Sequence, residues 1–313
     1  MKSKTFYVYI LVFCSSIFSF ATVMLPYPMT VFDWIRTLTV QLIAAIVAVL
    51  LISDNRKTKP LADLISLLYI FLLIARSLNR MNIYMKTYHR QTSSAGNILI
   101  TALTVIMLSY FSDEKTEKLT LPVSVAVMLM LIMVACLNIT KISPVNLYGI
   151  KNNTEVIYTG VTLFDFIVPA NIILNSSKKA KRRKAVFTFL SIVFLMILIT
   201  TLVFSCVSGD LLYSLSPLQM AFQISSGFGT VNFDAVFNLL LWFGYFSAFM
   251  LLMNAYSCIK KRFSYFNRSD LLMIFPLFLL IDKIDNSLWL PLMLSVSIVL
   301  CIGRRKTGYY EKA

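Results

Sequence analysis

Runs of about twenty apolar residues recur along this chain, as at 185 to 208 and 234 to 258. A helix of that length crosses the hydrocarbon core of a bilayer, which is about 30 Å thick, because each residue rises about 1.5 Å. Charged residues make up only 14% of the sequence, against about 25% in soluble domains. The runs are unbroken, so they lack the alternation of a membrane barrel. The sequence therefore predicts an all-α integral membrane protein.

Proline, glycine and charged residues divide the apolar runs into ten predicted transmembrane helices, of which the ninth is short. We treat residues 1–313 as a single transmembrane domain. The predicted spans lie near 6 to 25, 31 to 53, 61 to 80, 95 to 111, 119 to 139, 160 to 175, 185 to 208, 234 to 258, 270 to 282 and 287 to 303.

The basic residues predict the orientation of these spans. The formal net charge is +15, and the larger basic clusters fall on one side of the ten-helix topology, at 56–59, 178–184, 260–268 and 304–312. Because cytoplasmic loops are enriched in lysine and arginine, both termini are predicted to be cytoplasmic. The cluster at 178–184 is best explained as an anchor at anionic lipid headgroups. The sequence predicts no folded basic domain, so the basic residues do not indicate nucleic-acid binding.

Residues that could support catalysis or metal binding are scarce. The chain has one histidine and five cysteines without a CxxC pair. The cysteines fall in or at the edge of apolar spans, where they act as small core residues. We therefore expect no enzymatic activity, no catalytic residues, no metal and no cofactor.

Charged residues inside the spans are the sharper candidates, because an ionisable group in lipid is costly and commonly functional. Asp165 and Pro169 interrupt the sixth span, where Asp165 either contacts a ligand or is exposed at an outer vestibule. Pro169 and Asn171 mark either a break in that helix or a kink. Arg76, deep in the third span, needs a partner that the sequence does not name, and Asp33 could pair with Arg36.

The segment "SLSPLQMAFQISSGFGTVNFDAVFN", residues 214 to 238, is unusually polar for its place between two apolar spans. Ser216 is an acceptable N-cap, and Pro217 suits the first position of a helix. Leu218, Gln219 and Phe222 follow at helical spacing. The sequence predicts a short outer interfacial helix, after which Gly227 and Phe228 lie in the return to the membrane.

This order of features resembles the B subunit of bacterial spore germinant receptors, the GerAB type of endospore germination permease. The resemblance is carried by Pro217, by "FQISSGFGTVNF", and by a following span with an ordered set of residues. It is strongest over about residues 160 to 262. In this sequence the set reads Asp234, Ala235, Phe237, Trp242, Gly244 and Phe246.

That family is similar to the amino acid/polyamine/organocation transporter superfamily. The resemblance implies two inverted five-helix repeats of the LeuT-like kind, at 6–139 and 160–303, with the first and sixth spans broken at mid-membrane. The first span has no glycine, however, and its serines permit a continuous helix. The implied ligand-binding residues are Ser15, Ser16, Ser19, Asp165, Pro169 and Asn171. The implied outer lid or partner surface comprises Pro217, Gln219, Phe222, Gly227 and Phe228.

The function implied by the resemblance is that of a germinant receptor subunit. It would bind a small nutrient germinant, such as an amino acid, and signal to A and C subunits in the lipid bilayer of the spore inner membrane or the bacterial cell membrane. Two alternatives stay open on the sequence alone. The chain could be an amino acid or polyamine transporter, or a structural subunit of the receptor complex that binds no ligand.

Overall fold

A computed structural model describes eight continuous parts of the chain, together with isolated helical positions between 122 and 136 and between 190 and 198. The continuous parts are 2–22, 29–52, 60–88, 164–174, 211–212, 233–260, 274–281 and 288–303. The predicted fourth span has no described residue, and the fifth and seventh have only isolated ones. The ten-helix count and the two repeats therefore stay predictions.

The described residues are helical apart from one short pairing of extended segments. Met29–Thr30 (β1) pairs antiparallel with Leu211–Leu212 (β2). The prediction of an all-α fold is confirmed for these parts of the chain. The helices are α1 (Lys2–Ala21), α2 (Val31–Ile52), α3 (Pro60–Tyr88), α4 (Ile167–Ile173), α5 (Phe233–Lys260), α6 (Ile274–Ile281) and α7 (Trp289–Ile302).

Helix α3 continues well past the predicted end of the third span at residue 80. It has 29 residues, which corresponds to roughly 43 Å. The sequence prediction was too short because it placed the end at Arg80, where polar residues begin. Arginine, asparagine and lysine end a hydrophobic run, but they are compatible with a helix.

Two helical segments are long and apolar enough to cross a membrane, Pro60–Tyr84 in α3 and Phe237–Lys260 in α5. Shorter apolar helical segments occur at Tyr7–Phe20, Ile35–Leu51 and Trp289–Ile302. These lengths agree with a membrane location for at least part of the chain.

Helix α2 exposes large apolar side chains along one face. Ile43, Val47 and Leu50 recur at spacings of four and three residues, and each is at least 40% exposed. Residues with this spacing share one side of a helix. A continuous apolar stripe of this kind is unusual on a soluble surface and suits contact with lipid tails.

Helices α1 and α5 pack closely against each other. Gly244 lies at their crossing, where a Cβ atom would come within 2.8 Å of Phe18 Cβ. The rings of Phe18 and Tyr245 meet edge to face with centroids 5.4 Å apart. Because Gly244 has no side chain, the backbones of α1 and α5 can approach each other here. Close helix packing thus explains why a glycine occupies this position.

The four cysteines that the structure describes divide between the core and the surface, and Cys206 lies outside the described residues. Cys14 is buried as predicted. Cys136 is exposed, and Cys258 and Cys301 are only partly buried. The prediction that all five are core residues is therefore wrong for Cys136, because an apolar span also has a face turned away from the protein interior.

Candidate functional site

The described part of the predicted sixth span begins with a turn. Phe164–Phe166 precede α4, and the amide of Ile167 donates to the carbonyl of Phe164 at 3.0 Å. The next bond, from Ala170 to Phe166, is 3.1 Å long and has the spacing of an α-helix. Every residue from 164 to 174 is buried. A non-helical backbone thus lies inside the protein at Asp165.

Pro169 does not itself break the helix. It is the third residue of α4, and the amides of a helix's first turn have no acceptor within the helix. A proline at this position therefore removes no helical hydrogen bond. In the described residues, neither Pro169 nor Asn171 marks a break, because the helix begins at Ile167 and continues through both.

Asp165 forms a buried ion pair with Arg76 of α3. Arg76 Nη1 donates to Asp165 Oδ2, and both side chains are at least 94% buried. The alternative of a carboxylate exposed at an outer vestibule is therefore wrong. The pair also supplies the partner that Arg76 needed, which sequence reasoning missed because 89 residues separate the two.

Aromatic residues from two further segments surround the ion pair. The guanidinium of Arg76 lies over the ring of Trp289 in α7, 4.1 Å from its centroid. This geometry provides cation–π attraction. The hydroxyl of Tyr69 donates to the backbone carbonyl of Asp165 at 3.4 Å. The ion pair thus connects α3, the turn before α4, and α7.

A second arginine of α3 contacts α1. Arg80 Nη1 donates to Ser19 Oγ at 3.1 Å. Arg80 also interacts electrostatically with the ion pair, being repelled by Arg76 and attracted by Asp165. Sequence reasoning ended the third predicted span at Arg80 and did not assign this residue to the site. Its spacing of four residues from Arg76 was the available signal.

Helix α1 is continuous through the residues expected to unwind. Ser15 Oγ donates to Leu11 O at 2.5 Å, and Ser16 Oγ donates to Val12 O at 2.9 Å. The implied break in the first span is therefore wrong, because these hydroxyls bond to the preceding turn of their own helix. Of the three predicted α1 site residues, the structure brings Ser19 into contact with the charged cluster, through Arg80.

Several buried polar atoms have no hydrogen-bond partner among the described residues. Asp165 Oδ1 is one, and both the oxygen and the nitrogen of the Asn171 side chain are others. Asn171 is completely buried. The hydroxyls of Tyr7 and Tyr245 are also unpaired. Since buried polar groups are normally paired, these atoms have capacity to bind a small polar molecule.

The start of α5 meets the far end of α3. Tyr84 hydroxyl donates to Asn238 Oδ1 at 2.9 Å, and the Tyr84 and Phe237 rings lie 6.1 Å apart. This contact joins the end of the polar segment 214–238 to α3. The proposed outer surface of Pro217, Gln219, Phe222, Gly227 and Phe228 lies outside the described residues. So does the side chain of Asp33, and hence its pairing with Arg36.

The chemistry of the described cluster suits binding. Arg76, Arg80 and Asp165 offer guanidinium donors and a carboxylate oxygen in a largely apolar interior, and Asn171 offers a separate buried carboxamide. In the described parts of the chain, no three His, Cys, Asp or Glu side chains come together as a potential metal site.

Comparison with known proteins gave no match for this chain, either among the models of protein families or among curated proteins. What the chain does must therefore be inferred from its own residues.

Proposed function

We propose that this chain is a multi-pass membrane protein that binds a small nutrient germinant within its helix bundle. It would then signal to A and C subunits of a spore germinant receptor, in the spore inner membrane or the bacterial cell membrane. Two membrane-length helices support the membrane location. The exposed apolar stripe on α2 supports it as well. The receptor role is supported by the family-like residues from Pro217 to Phe246.

Asn171 carries the ligand-binding part of the proposal. Its carboxamide is fully buried, and neither of its polar atoms is hydrogen-bonded within the described parts of the chain. Leaving a buried polar group unpaired costs about 1–3 kcal/mol. A small polar ligand would recover that cost by bonding to the carboxamide, whereas a leucine of similar size would avoid it without any ligand. Ligand binding would thus account for an asparagine at this buried position.

The ion pair provides a physical route from binding to signalling. A germinant amino group that bonds to Asp165 Oδ1 would compete with Arg76 for the same carboxylate. Weakening the pair would loosen the connection between α3 and the turn before α4. A ligand shifts such an equilibrium only through its different affinities for the two states, and a change from 1:99 to 99:1 needs about 5.5 kcal/mol.

The Asn171→Leu variant tests this function. We expect spores that carry it as their sole copy to lose their response to the nutrient that the native chain detects. The purified variant should be as stable as the native chain, or more stable by about 1 kcal/mol, since the substitution removes unpaired polar atoms. Germination dose curves and thermal unfolding in detergent measure the two effects.

Asn254→Leu serves as the matched control, because Asn254 is a partly exposed asparagine on α5. It should leave the dose curve unchanged. A normal nutrient response in Asn171→Leu spores, with the protein present in the membrane, would remove Asn171 from any ligand site. A marked loss of stability in that variant would show that the carboxamide has a structural partner instead.

A ligand-free structural subunit is the second candidate. It is favoured by the continuous α1, whose Ser15 and Ser16 hydroxyls already have acceptors. It predicts that Asn171→Leu spores respond normally, while deletion of the gene removes the partner subunits from the membrane. Immunodetection of the A and C subunits in spores of both strains separates the two functions.

A further inference from the structure

We propose that Arg80, positioned by Ser19, is a binding site for a carboxylate group. This inference rests on the proposed function, since the carboxylate would belong to a ligand that enters the same helix bundle. It adds an anionic subsite to the polar atoms of Asp165 and Asn171, and it defines one chemical group that the ligand must carry.

The charges of the cluster are unbalanced. Arg76 and Arg80 are four residues apart on α3, and like charges at that spacing repel each other. Asp165 is already paired with Arg76 through Oδ2. Among the acidic side chains that the structure describes, Asp165 is the one that interacts with Arg80. The cluster of two guanidinium groups and one carboxylate therefore favours a second anion.

Arg80 has the donors to hold that anion. A guanidinium carries five N–H donors in a planar fork that matches a carboxylate. In the described parts of the chain, Arg80 gives one hydrogen bond, to Ser19 Oγ. That bond orients the side chain toward α1. The other donors form no bond within the described residues, so they could make a two-point contact with a carboxylate.

The position of Arg80 along α3 suits a ligand that arrives from water. Arg80 lies twenty residues after Pro60, or about 30 Å along the helix axis, which matches the thickness of the hydrocarbon core. In the predicted topology, Pro60 is at the inner boundary. Arg80 then lies at the outer boundary, one helical turn above Arg76, where a ligand entering from outside would first meet the charged cluster.

The test uses the full chain in lipid nanodiscs, with sodium acetate as the probe and sodium chloride at matched ionic strength as the reference. We expect acetate to raise the unfolding temperature of the native chain saturably, by about 2–4 °C more than chloride. Arg80→Gln should abolish this difference. Arg36→Gln, which removes an exposed arginine of α2, should retain it.

Arg80→Lys provides a second variant in case Arg80→Gln does not fold. Lysine keeps the positive charge but lacks the planar guanidinium. Half of the maximal rise in unfolding temperature should therefore require about tenfold more acetate. Equal effects of acetate and chloride on the native chain, or a full acetate effect in Arg80→Gln, would overturn the carboxylate site. An unchanged acetate response in Arg80→Lys would also overturn it, because a charge alone would then suffice.

The two proposals fail separately. If acetate has no specific effect but Asn171→Leu still abolishes the nutrient response, the carboxylate site is wrong and the receptor function stands. If acetate binds through Arg80 but Asn171→Leu spores respond normally, the anion site exists without the proposed germinant site.

Discussion

Arg76→Met is expected to lower the free energy of unfolding by about 3–5 kcal/mol, because it leaves the buried Asp165 carboxylate without its counter-charge. Asp165→Leu should cost a similar amount by leaving the Arg76 guanidinium unpaired. Both side chains are nearly inaccessible to solvent, and the pair connects two segments that are far apart in the sequence. Few other single substitutions in the described residues should destabilise the protein as strongly.

The double variant Arg76→Met/Asp165→Leu distinguishes a pair from two separate buried charges. We expect the double variant to lose much less stability than the two single variants lose in sum, because it removes both charges together. Unfolding in mixed micelles, followed by tryptophan fluorescence, measures all three variants. Additive losses would show that the two residues do not depend on each other. Arg36→Gln, at an exposed arginine, should change stability by no more than about 0.5 kcal/mol.

The ion pair also shows what sequence reasoning can and cannot find in a membrane protein. The cost of a charge in lipid identified Arg76 as a residue in need of a partner and Asp165 as a functional candidate. Nothing in the local sequence connects position 76 with position 165, because the pairing depends on where the fold places the turn before α4 relative to α3. Hydropathy identifies helices well, but it carries no information about which helices are neighbours.

The errors within individual helices have local physical causes. Sequence reasoning expected a break or a kink at Pro169 and Asn171, yet the proline occupies the first turn of α4, where it is tolerated. The resemblance implied an unwound first span, whereas Ser15 and Ser16 bond to the preceding turn and the helix continues. In the first span, the residues themselves, serines without a glycine, permitted the continuous helix that the structure shows. At Pro169 the outcome depended on where the helix begins, which residue type alone does not reveal.

Asn171 could be found from the sequence, whereas Arg80 could be found only from the structure. Asn171 was a sequence candidate because it follows a proline in an apolar span. The structure adds that its polar atoms are buried and have no hydrogen-bond partner among the residues it describes. Arg80 was not a sequence candidate, because it lies at the end of the third predicted span. Its contact with Ser19 of α1 depends on the packing of two helices, which the sequence does not specify.

For Gly244→Ala, packing and helix propensity predict opposite changes in the free energy of unfolding. Alanine is favoured over glycine by about 1 kcal/mol within a helix, so propensity alone predicts a more stable protein. The new Cβ, however, would lie 2.8 Å from Phe18 Cβ and 3.0 Å from the carbonyl oxygen of Cys14. Helix α1 would have to move away, and we expect a net loss of about 1–3 kcal/mol.

Thermal and mixed-micelle unfolding of Gly244→Ala and Gly244→Leu measure this effect, with Ser257→Ala at a partly exposed position of the same helix as the control. The leucine variant should lose more stability than the alanine variant, since a larger side chain must be accommodated at the same crossing. A gain in stability in Gly244→Ala would mean that α1 and α5 are not in close contact there. The close packing of α1 against α5 would then be wrong. The contact between Ser19 and Arg80 would be wrong as well, because α1 carries both Phe18 and Ser19.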